Sequence, residues 1–268
     1  MSCHPSASMS VSPQVLGLAI LVAILPSLSA KTPERDAQSI AILNRVISTV
    51  GGGQALAAIH DITEKGEITF HSDNGIKGPV TIQMLNGCCF RLDAELPDGK
   101  TSWLVKEGLG SEQENNENIS MSHLRAASLE NLSYPVGYAI FAIQDRTVSV
   151  SFVGVENREG RSTYRIRVGA QLGSDARMTL RRPLARDLLI DALTFDVVGT
   201  EDLEYLSCQR FGTRGSVHHE VDFEDFRVIH GTRLPFRIAA KVGGQETLDI
   251  RLGEVTFNSN LQLSVFQW

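Results

Sequence analysis

The feature that most constrains the fold of this chain is a period of two in its apolar residues, which begins near residue 62 and continues to residue 252. Apolar side chains such as Val80, Ile82 and Met84 alternate with polar ones, and the dipeptides Asn86-Gly87 and Asp98-Gly99 separate neighbouring runs. Alternation places one face of a strand in a core and the other in water, and short turns join antiparallel neighbours. The pattern therefore predicts a large antiparallel sheet of roughly ten strands.

A helical signal precedes the strands. Thr32 and Pro33 form a favourable helix start, with the hydroxyl as N-cap and the proline at the first helical position. Apolar residues then recur every three or four positions up to Val50, and the glycines at 51–53 end the pattern. We expect one amphipathic helix here, followed by a short second helix at residues 54–59.

Two further segments interrupt the strand pattern. Residues 108–118 are polar and acidic, and we expect them to form a mobile loop or lid. Residues 120–144 favour helix in two pieces, broken at Tyr134-Pro135, because proline disfavours helical backbone in the residue before it. The fold class predicted from these patterns is α+β, a strongly curved antiparallel sheet with helices covering one face.

The first 30 residues contain no Asp, Glu, Lys or Arg, and residues 15–25 form a continuous apolar run that small residues follow. A run of about 7–15 apolar residues before small residues is typical of a secretory signal peptide. We expect cleavage near Ala30, a single domain at residues 31–268, and a periplasmic or secreted protein. The alternative is an uncleaved N-terminal anchor.

Charge and cysteine content exclude several classes of protein. The formal net charge is −6, and no basic block is present, which argues against a nucleic-acid partner. Beyond residue 30 only Cys88, Cys89 and Cys208 occur, too few for a disulfide framework, although a Cys88–Cys208 bridge stays open. On the strand pattern Cys88 shares the apolar face of Phe90, and Cys89 the polar face of Arg91.

Candidate catalytic residues are few. His218, His219 and Glu220 are adjacent, but neighbouring strand residues point to opposite faces, so at most one of the two histidines can approach His230. The GxSxG motif of serine hydrolases does not occur. The sequence predicts no enzyme, no metal and no cofactor. A cleft that joins one of these histidines, His230 and a carboxylate would reopen the question.

Three stretches resemble the LolA-like outer-membrane lipoprotein carrier superfamily, especially its uncharacterised secreted members. The first is a strand, a glycine turn, Leu-Pro-Phe and a closing strand, with matching residues Phe226, Arg227, Gly231, Leu234, Pro235, Phe236, Asn258 and Phe266. The second is FRLDAELPDGKTSWLVKEGLG, which contains Arg91, Pro97, Gly99 and Gly108 in the expected order. The third is LLIDALTFDVV, in which Ala192 stands where the group usually has proline. The resemblance covers most of residues 34–266.

The resemblance implies an unclosed half-barrel, with an apolar cavity between sheet and helices that binds a lipid or the acyl chain of a lipoprotein. The implied partners are a lipid or an acylated protein, with envelope proteins possible, and the implied state is a monomer. Candidates to line the cavity are Ile68, Phe70, Val80, Ile82, Phe90, Leu92 and Trp103. Arg91 is the candidate gate, which would hold a helix over the cavity until ligand displaces it. The alternative function is a structural or interaction module of the cell envelope, with a solid core and no cavity.

Overall fold

A computed structural model describes residues 33–71, 75–114, 117–121, 123–129, 132, 136–170, 185–208 and 213–267. The unit Thr32–Trp268 is compact. The predicted signal peptide and the helix start at Thr32 lie outside the described residues, as does the side chain of Cys208. In the part of the chain that is described, no helix is both long and apolar enough to span a membrane.

The chain forms one large antiparallel sheet, as the alternation predicted, with thirteen strands in the described residues where about ten were expected. In chain order the strands are β1 (Asp61–Phe70), β2 (Ile76–Leu85), β3 (Cys89–Leu96), β4 (Gly99–Lys106), β5 (Leu109–Glu114), β6 (Glu117–Ser120), β7 (Val148–Arg158), β8 (Arg161–Ala170), β9 (Ala185–Asp191), β10 (Val197–Cys208), β11 (Thr213–Ile229), β12 (Thr232–Val242) and β13 (Gln245–Phe257). Their order across the sheet is 6-5-4-3-2-1-13-12-11-10-9-8-7. Two meanders therefore meet where the first strand pairs with the last, and the sheet is curved but not closed.

The prediction of a mobile acidic loop at residues 108–118 is wrong, because this segment forms the hairpin of β5 and β6 and extends the sheet beyond β4. Leu109 and Ile119 are its only large apolar residues, and both are exposed. An edge hairpin with so little apolar surface lacks the alternation by which strands are recognised in a sequence. The hairpin is held in the sheet by backbone pairing of β5 with β4 instead.

The hairpin of β11 and β12 contains the most distinctive sequence motif. His230 and Gly231 form its turn, with φ values of 49° and 83°. Pro235 lies opposite Phe226 on β11, whereas the pairing of β12 with β13 begins only at Arg237. The missing N–H of the proline therefore falls outside the β12–β13 ladder, as expected for proline within a sheet.

Helix α1 (Ala37–Val50) starts later than the sequence indicated. Its N-cap is Asp36, whose carboxylate accepts a hydrogen bond of 2.7 Å from the backbone N–H of Ser39. The residues before it are extended, because Glu34 and Asp36 bond through their backbones to Val150 at the free edge of β7. The predicted end is confirmed at Gly51, and α2 (Gly52–Ala57) follows.

Residues 120–144 contain two helices, α3 (His123–Leu129) and α4 (Val136–Gln144), and the predicted break at Pro135 falls between them. The end of α4 is capped from a distance by Arg35. Its guanidinium donates to the carbonyl oxygens of Ala142, Ile143, Asp145 and Val148 at 2.9–3.2 Å. This one side chain satisfies carbonyl groups that the end of a helix leaves without partners.

Side chains on the inner face of the sheet divide into two buried clusters. One lies on β1–β4 and β11–β13 with residues from α3, and the other packs α1 and α4 against β7–β10. A third, small cluster lies on the outer face of β2–β4, where the 3-10 helix Leu263–Phe266 inserts Phe266 against Leu85, Cys89 and Leu104.

Elsewhere the outer face is ionic. Arg165 on β8 bonds to Glu156, Asp187 and Glu201, and its pKa lies above the ordinary value, chiefly through the hydrogen bond to Glu201. Arg237 on β12 bonds to Glu224 and Asp249 in the same way. The outer face of these strands is therefore the solvated one.

Candidate functional site

An apolar pocket of about 500 Å³ lies between the inner face of the sheet and α3. Part of its floor is a single row of side chains across four neighbouring strands, because the ladder register aligns Phe70 with Leu248, Leu248 with Ala240, and Ala240 with Val221. The remaining apolar lining is Leu96, Trp103, Leu129, Leu132 and Val242. The pocket therefore needs the contact between β1 and β13 that joins the two meanders.

Trp103 is the central side chain of this pocket. Its ring makes an edge-to-face contact with Phe70 at 5.8 Å between centroids, and its indole N–H donates to Glu112 Oε1 at 2.7 Å. The other oxygen of Glu112 pairs with Arg125 of α3 at 2.9 Å. A buried indole N–H requires an acceptor, and here that acceptor also ties α3 to the sheet.

Polar side chains surround the apolar floor and are half-buried or exposed: Thr101, Glu112, Arg125, Ser128, His219, Glu220, Lys241 and Thr247. Lys241 and Glu220 border the pocket, but they alternate with the inward-facing Ala240 and Val221, so their side chains belong to the outer face of the sheet. There Lys241 Nζ lies 2.6 Å from Asp222, and this hydrogen bond is the main cause of the raised pKa of the lysine. Glu220 lies 3.5 Å from Arg158. The charges that face the rim of the pocket are those of Glu112 and Arg125, which pair with each other.

Next to the pocket the inner face carries a buried ion pair. Arg186 on β9 is 2 % exposed and donates to both carboxylate oxygens of Asp202 on β10, and its guanidinium lies 4.5 Å from the centre of the Tyr138 ring of α4. In the ladder Asp202 is the partner of His219, which lines the pocket. The ion pair and the stacking on Tyr138 together compensate the buried charge of Arg186.

The seven predicted cavity residues lie together in or against one cluster on the inner face. Phe70 and Trp103 line the pocket, and the other five are at most 2 % exposed: Ile68, Val80, Ile82, Phe90 and Leu92. They form the core beside the pocket, and a direct role for them in binding stays a prediction.

The sequence did not single out the pocket residues of the last three strands or of α3. Leu248, Ala240 and Val221 belong to alternating runs that the sequence displayed, and Leu129 lies in a segment for which the sequence predicted only a helix. The signal that was missing is the strand order, because only the pairing of β1 with β13 brings these runs to Phe70.

The candidate gate Arg91 lies on the opposite face of β3 from Phe90 and Leu92. It pairs with Asp93 at 2.7 Å and donates to the carbonyl oxygen of Val265 at 2.8 Å in the C-terminal segment. Its position therefore gives no support to the predicted gating role.

The histidines do not form a common site. His219 lines the pocket, whereas His230 lies in the turn after β11 and contacts Phe257. The two lie eleven positions apart along β11 and its turn, roughly 35 Å at about 3.3 Å per residue. Among the described residues no group of three His, Cys, Asp or Glu side chains converges to hold a metal ion.

Cys89 lies on the same face of β3 as Arg91, as predicted, but that face is covered at this position. Cys89, not Cys88, is the buried one, and burial raises the pKa of its thiol to about 12. The outer face that Cys89 shares with Leu104 looked polar in the sequence, but Phe266 covers it.

Comparison with known proteins identifies the fold. No family model matches the chain, and none of the curated proteins matches its sequence. A LolA superfamily protein from Nitrosomonas europaea is 13 % identical over 86 % of this chain and 97 % of its own, with a TM-score of 0.52. A domain named for outer membrane lipoprotein sorting, from Vibrio parahaemolyticus, is 11 % identical over 85 % of this chain and 96 % of its own, with a TM-score of 0.51. The chain therefore has the LolA-like fold that its turn and strand motifs predicted.

Proposed function

We propose that this protein is an extracytoplasmic carrier that binds an acyl chain, of a lipid or of an acylated protein, in the pocket between the sheet and α3. The observation that carries the proposal is the combination of an apolar floor and a polar rim in a volume of about 500 Å³. A site of this size and polarity is typical of pockets that enclose most of a small ligand.

Burial of the chain supplies the affinity in this proposal. Each methylene transferred from water is worth about 0.8 kcal/mol, so a long chain gains on the order of 10 kcal/mol before the cost of ordering it. Trp103, Leu129, Leu132, Val221 and Leu248 are each less than 9 % exposed and supply the apolar surface.

The proposed role is non-catalytic, since a carrier needs apolar surface and no reacting groups. We place it in the periplasm or outside the cell on the strength of the apolar N-terminal segment, and we expect the cargo to be exchanged with lipid or with other envelope proteins. The LolA-like fold supports this assignment as an analogy of architecture, because function resides in the site and not in the fold.

Native mass spectrometry of the full-length protein, purified without detergent, tests the proposal, together with organic extraction of whatever co-purifies. We expect a stoichiometric lipid. Phe70→Asp places a charge in the pocket and should abolish it, whereas Phe152→Asp, at a half-buried phenylalanine of the other cluster, should not. Ala240→Trp, which fills the pocket, should also exclude the lipid.

An apo mass for the wild-type protein, with no uptake of added fatty acids or phospholipids, would contradict the proposal. The protein would then be better explained as an envelope interaction module, and affinity purification from the envelope fraction would be the next step. Thermal unfolding of each variant separates loss of binding from loss of structure.

A further inference from the structure

The size of the pocket limits how much acyl chain it can hold. A methylene group is similar in size to a water molecule, whose share of liquid volume is about 30 Å³, so a volume near 500 Å³ holds roughly 16 of them. A lipid with two chains of that length needs about twice the volume, and one with three chains about three times. The capacity corresponds to one long alkyl chain.

The lining of the pocket has an apolar part and a polar part, and each fits a different part of a ligand. The lining side chains of Trp103, Leu132 and Leu248 are buried and apolar, whereas those of Glu112 and Arg125 are charged and partly exposed at the rim. A polar group placed on the floor would lose its hydration without gaining a hydrogen bond, which is costly. The polar end of a ligand therefore belongs at the rim.

The sheet side of the pocket is held in place by its strands. Phe70, Val221, Ala240 and Leu248 belong to strands bonded on both sides, so they cannot separate without breaking ladders. On the helix side, Ala126 and Leu129 of α3 are buried against the sheet, and Glu112 bonds to both Trp103 and Arg125.

From these three observations we infer that the ligand is a single-chain amphiphile, with one alkyl chain of about 16 carbons inside the pocket and a polar head at the rim. This inference rests on the proposed function and narrows it to one class of lipid. Two sources share this chemistry, a free fatty acid and a lysophospholipid.

Calorimetric titration of the delipidated full-length protein with saturated fatty acids of 8 to 20 carbons measures the capacity directly. We expect affinity to rise about fourfold per added methylene, and to stop rising near 16 carbons, when the pocket is full. In Ala240→Phe the plateau should move to shorter chains. Val155→Phe adds the same ring on the exposed surface of β7 and should leave the plateau unchanged.

Native mass spectrometry with hexadecanoic acid, a one-chain palmitoyl lysophosphatidylcholine, dipalmitoyl phosphatidylcholine and a tripalmitoylated cysteinyl peptide compares the lipid classes. The inference is supported if either single-chain lipid binds one-to-one and the two-chain and three-chain lipids bind at least tenfold more weakly. Whichever single-chain lipid binds more tightly then identifies the polar head group of the ligand.

Tighter binding of the phosphatidylcholine or of the tripalmitoylated peptide would overturn the inference and leave the proposed function standing. Affinity that rises without a plateau to 20 carbons would overturn it too. Failure of all four lipids to bind would instead refute the proposed function, and this inference with it.

Discussion

A buried carboxyl group on β1 provides the sharpest test of the packing described above. Glu64 projects from the inner face of the strand between Ile62 and Ile68, and its ladder partners are Ile82 and Val255. It is 2 % exposed, and among the described residues its Oε2 atom has no hydrogen-bond partner. Burial without a partner disfavours the charged form, and it raises the pKa of Glu64 from 4.5 to about 8.

The consequence for stability follows from the difference between the folded and unfolded proteins. The folded protein keeps a proton that the unfolded chain releases, so the contribution of Glu64 is fully present below pH 4.5 and is lost as the pH rises through 8. At about 1.36 kcal/mol for each pH unit between the two pKa values, the total loss is about 5 kcal/mol. Between pH 5 and pH 9 the free energy of unfolding should fall by about 4 kcal/mol from this group alone.

The substitution Glu64→Gln removes the ionisable group and keeps the shape of the side chain. We expect the variant to lose this part of the pH dependence. The difference in free energy of unfolding between the variant and the wild type should therefore shift by about 4 kcal/mol in favour of the variant from pH 5 to pH 9. Urea unfolding followed by circular dichroism at pH 5, 7 and 9 measures the difference. The matched control is Glu67→Gln on the same strand, where the carboxylate is exposed and pairs with Lys77.

Parallel pH profiles for the wild type and Glu64→Gln would refute the reasoning, because they would mean that Glu64 ionises in the folded protein as it does in the unfolded chain. A pH dependence removed equally by Glu67→Gln would refute it as well, since the effect would then come from general charge and not from burial. The comparison assumes two-state unfolding, which coincident fluorescence and circular dichroism transitions verify.

Three further substitutions test other parts of the structure. Arg35→Ala removes the hydrogen bonds to the end of α4, and it should lower the free energy of unfolding by about 2–4 kcal/mol in urea. Arg186→Leu leaves Asp202 buried without its ion-pair partner and should lower the free energy of unfolding by about 3–5 kcal/mol. The double variant with Asp202→Leu should recover most of that loss. A double variant no more stable than the single one would contradict this explanation. Burial raises the pKa of Asp61, but hydrogen bonds from Ser259 and from the backbone after it outweigh burial and hold the pKa below 3.8. The stabilisation that these hydrogen bonds give is therefore present above pH 3.8 and is lost as the pH falls below it. Asp61→Asn should speed amide hydrogen exchange at residues 259–261 near pH 7, and unchanged exchange there would show that the aspartate does not hold the C-terminal segment.

The sequence by itself determined those features that depend on near neighbours in the chain. Alternation with a period of two specified antiparallel strands, and Asn86-Gly87 and Asp98-Gly99 specified tight turns. A break at Tyr134-Pro135 was predicted because proline disfavours helix in the residue before it, and α4 begins at Val136. The inward face of Phe70 followed from its alternation with polar neighbours, because the face of a strand residue follows from its parity. Trp103 was a cavity candidate only through the cavity that the resemblance implied.

Only the tertiary structure decided which of these faces meet. The pairing of β1 with β13 brings Leu248 and Ala240 to Phe70, and no local pattern encodes a contact between residues so distant in sequence. The same limit explains Glu64, which lies in the polar sequence TEKGE and looks solvated until the sheet curves around it. It also explains Cys89, which is covered by Phe266 from the other end of the described chain. Whether a side chain is buried depends on which residues pack over it. For the pocket and for Glu64, pairing between strands distant in sequence brings those residues into place.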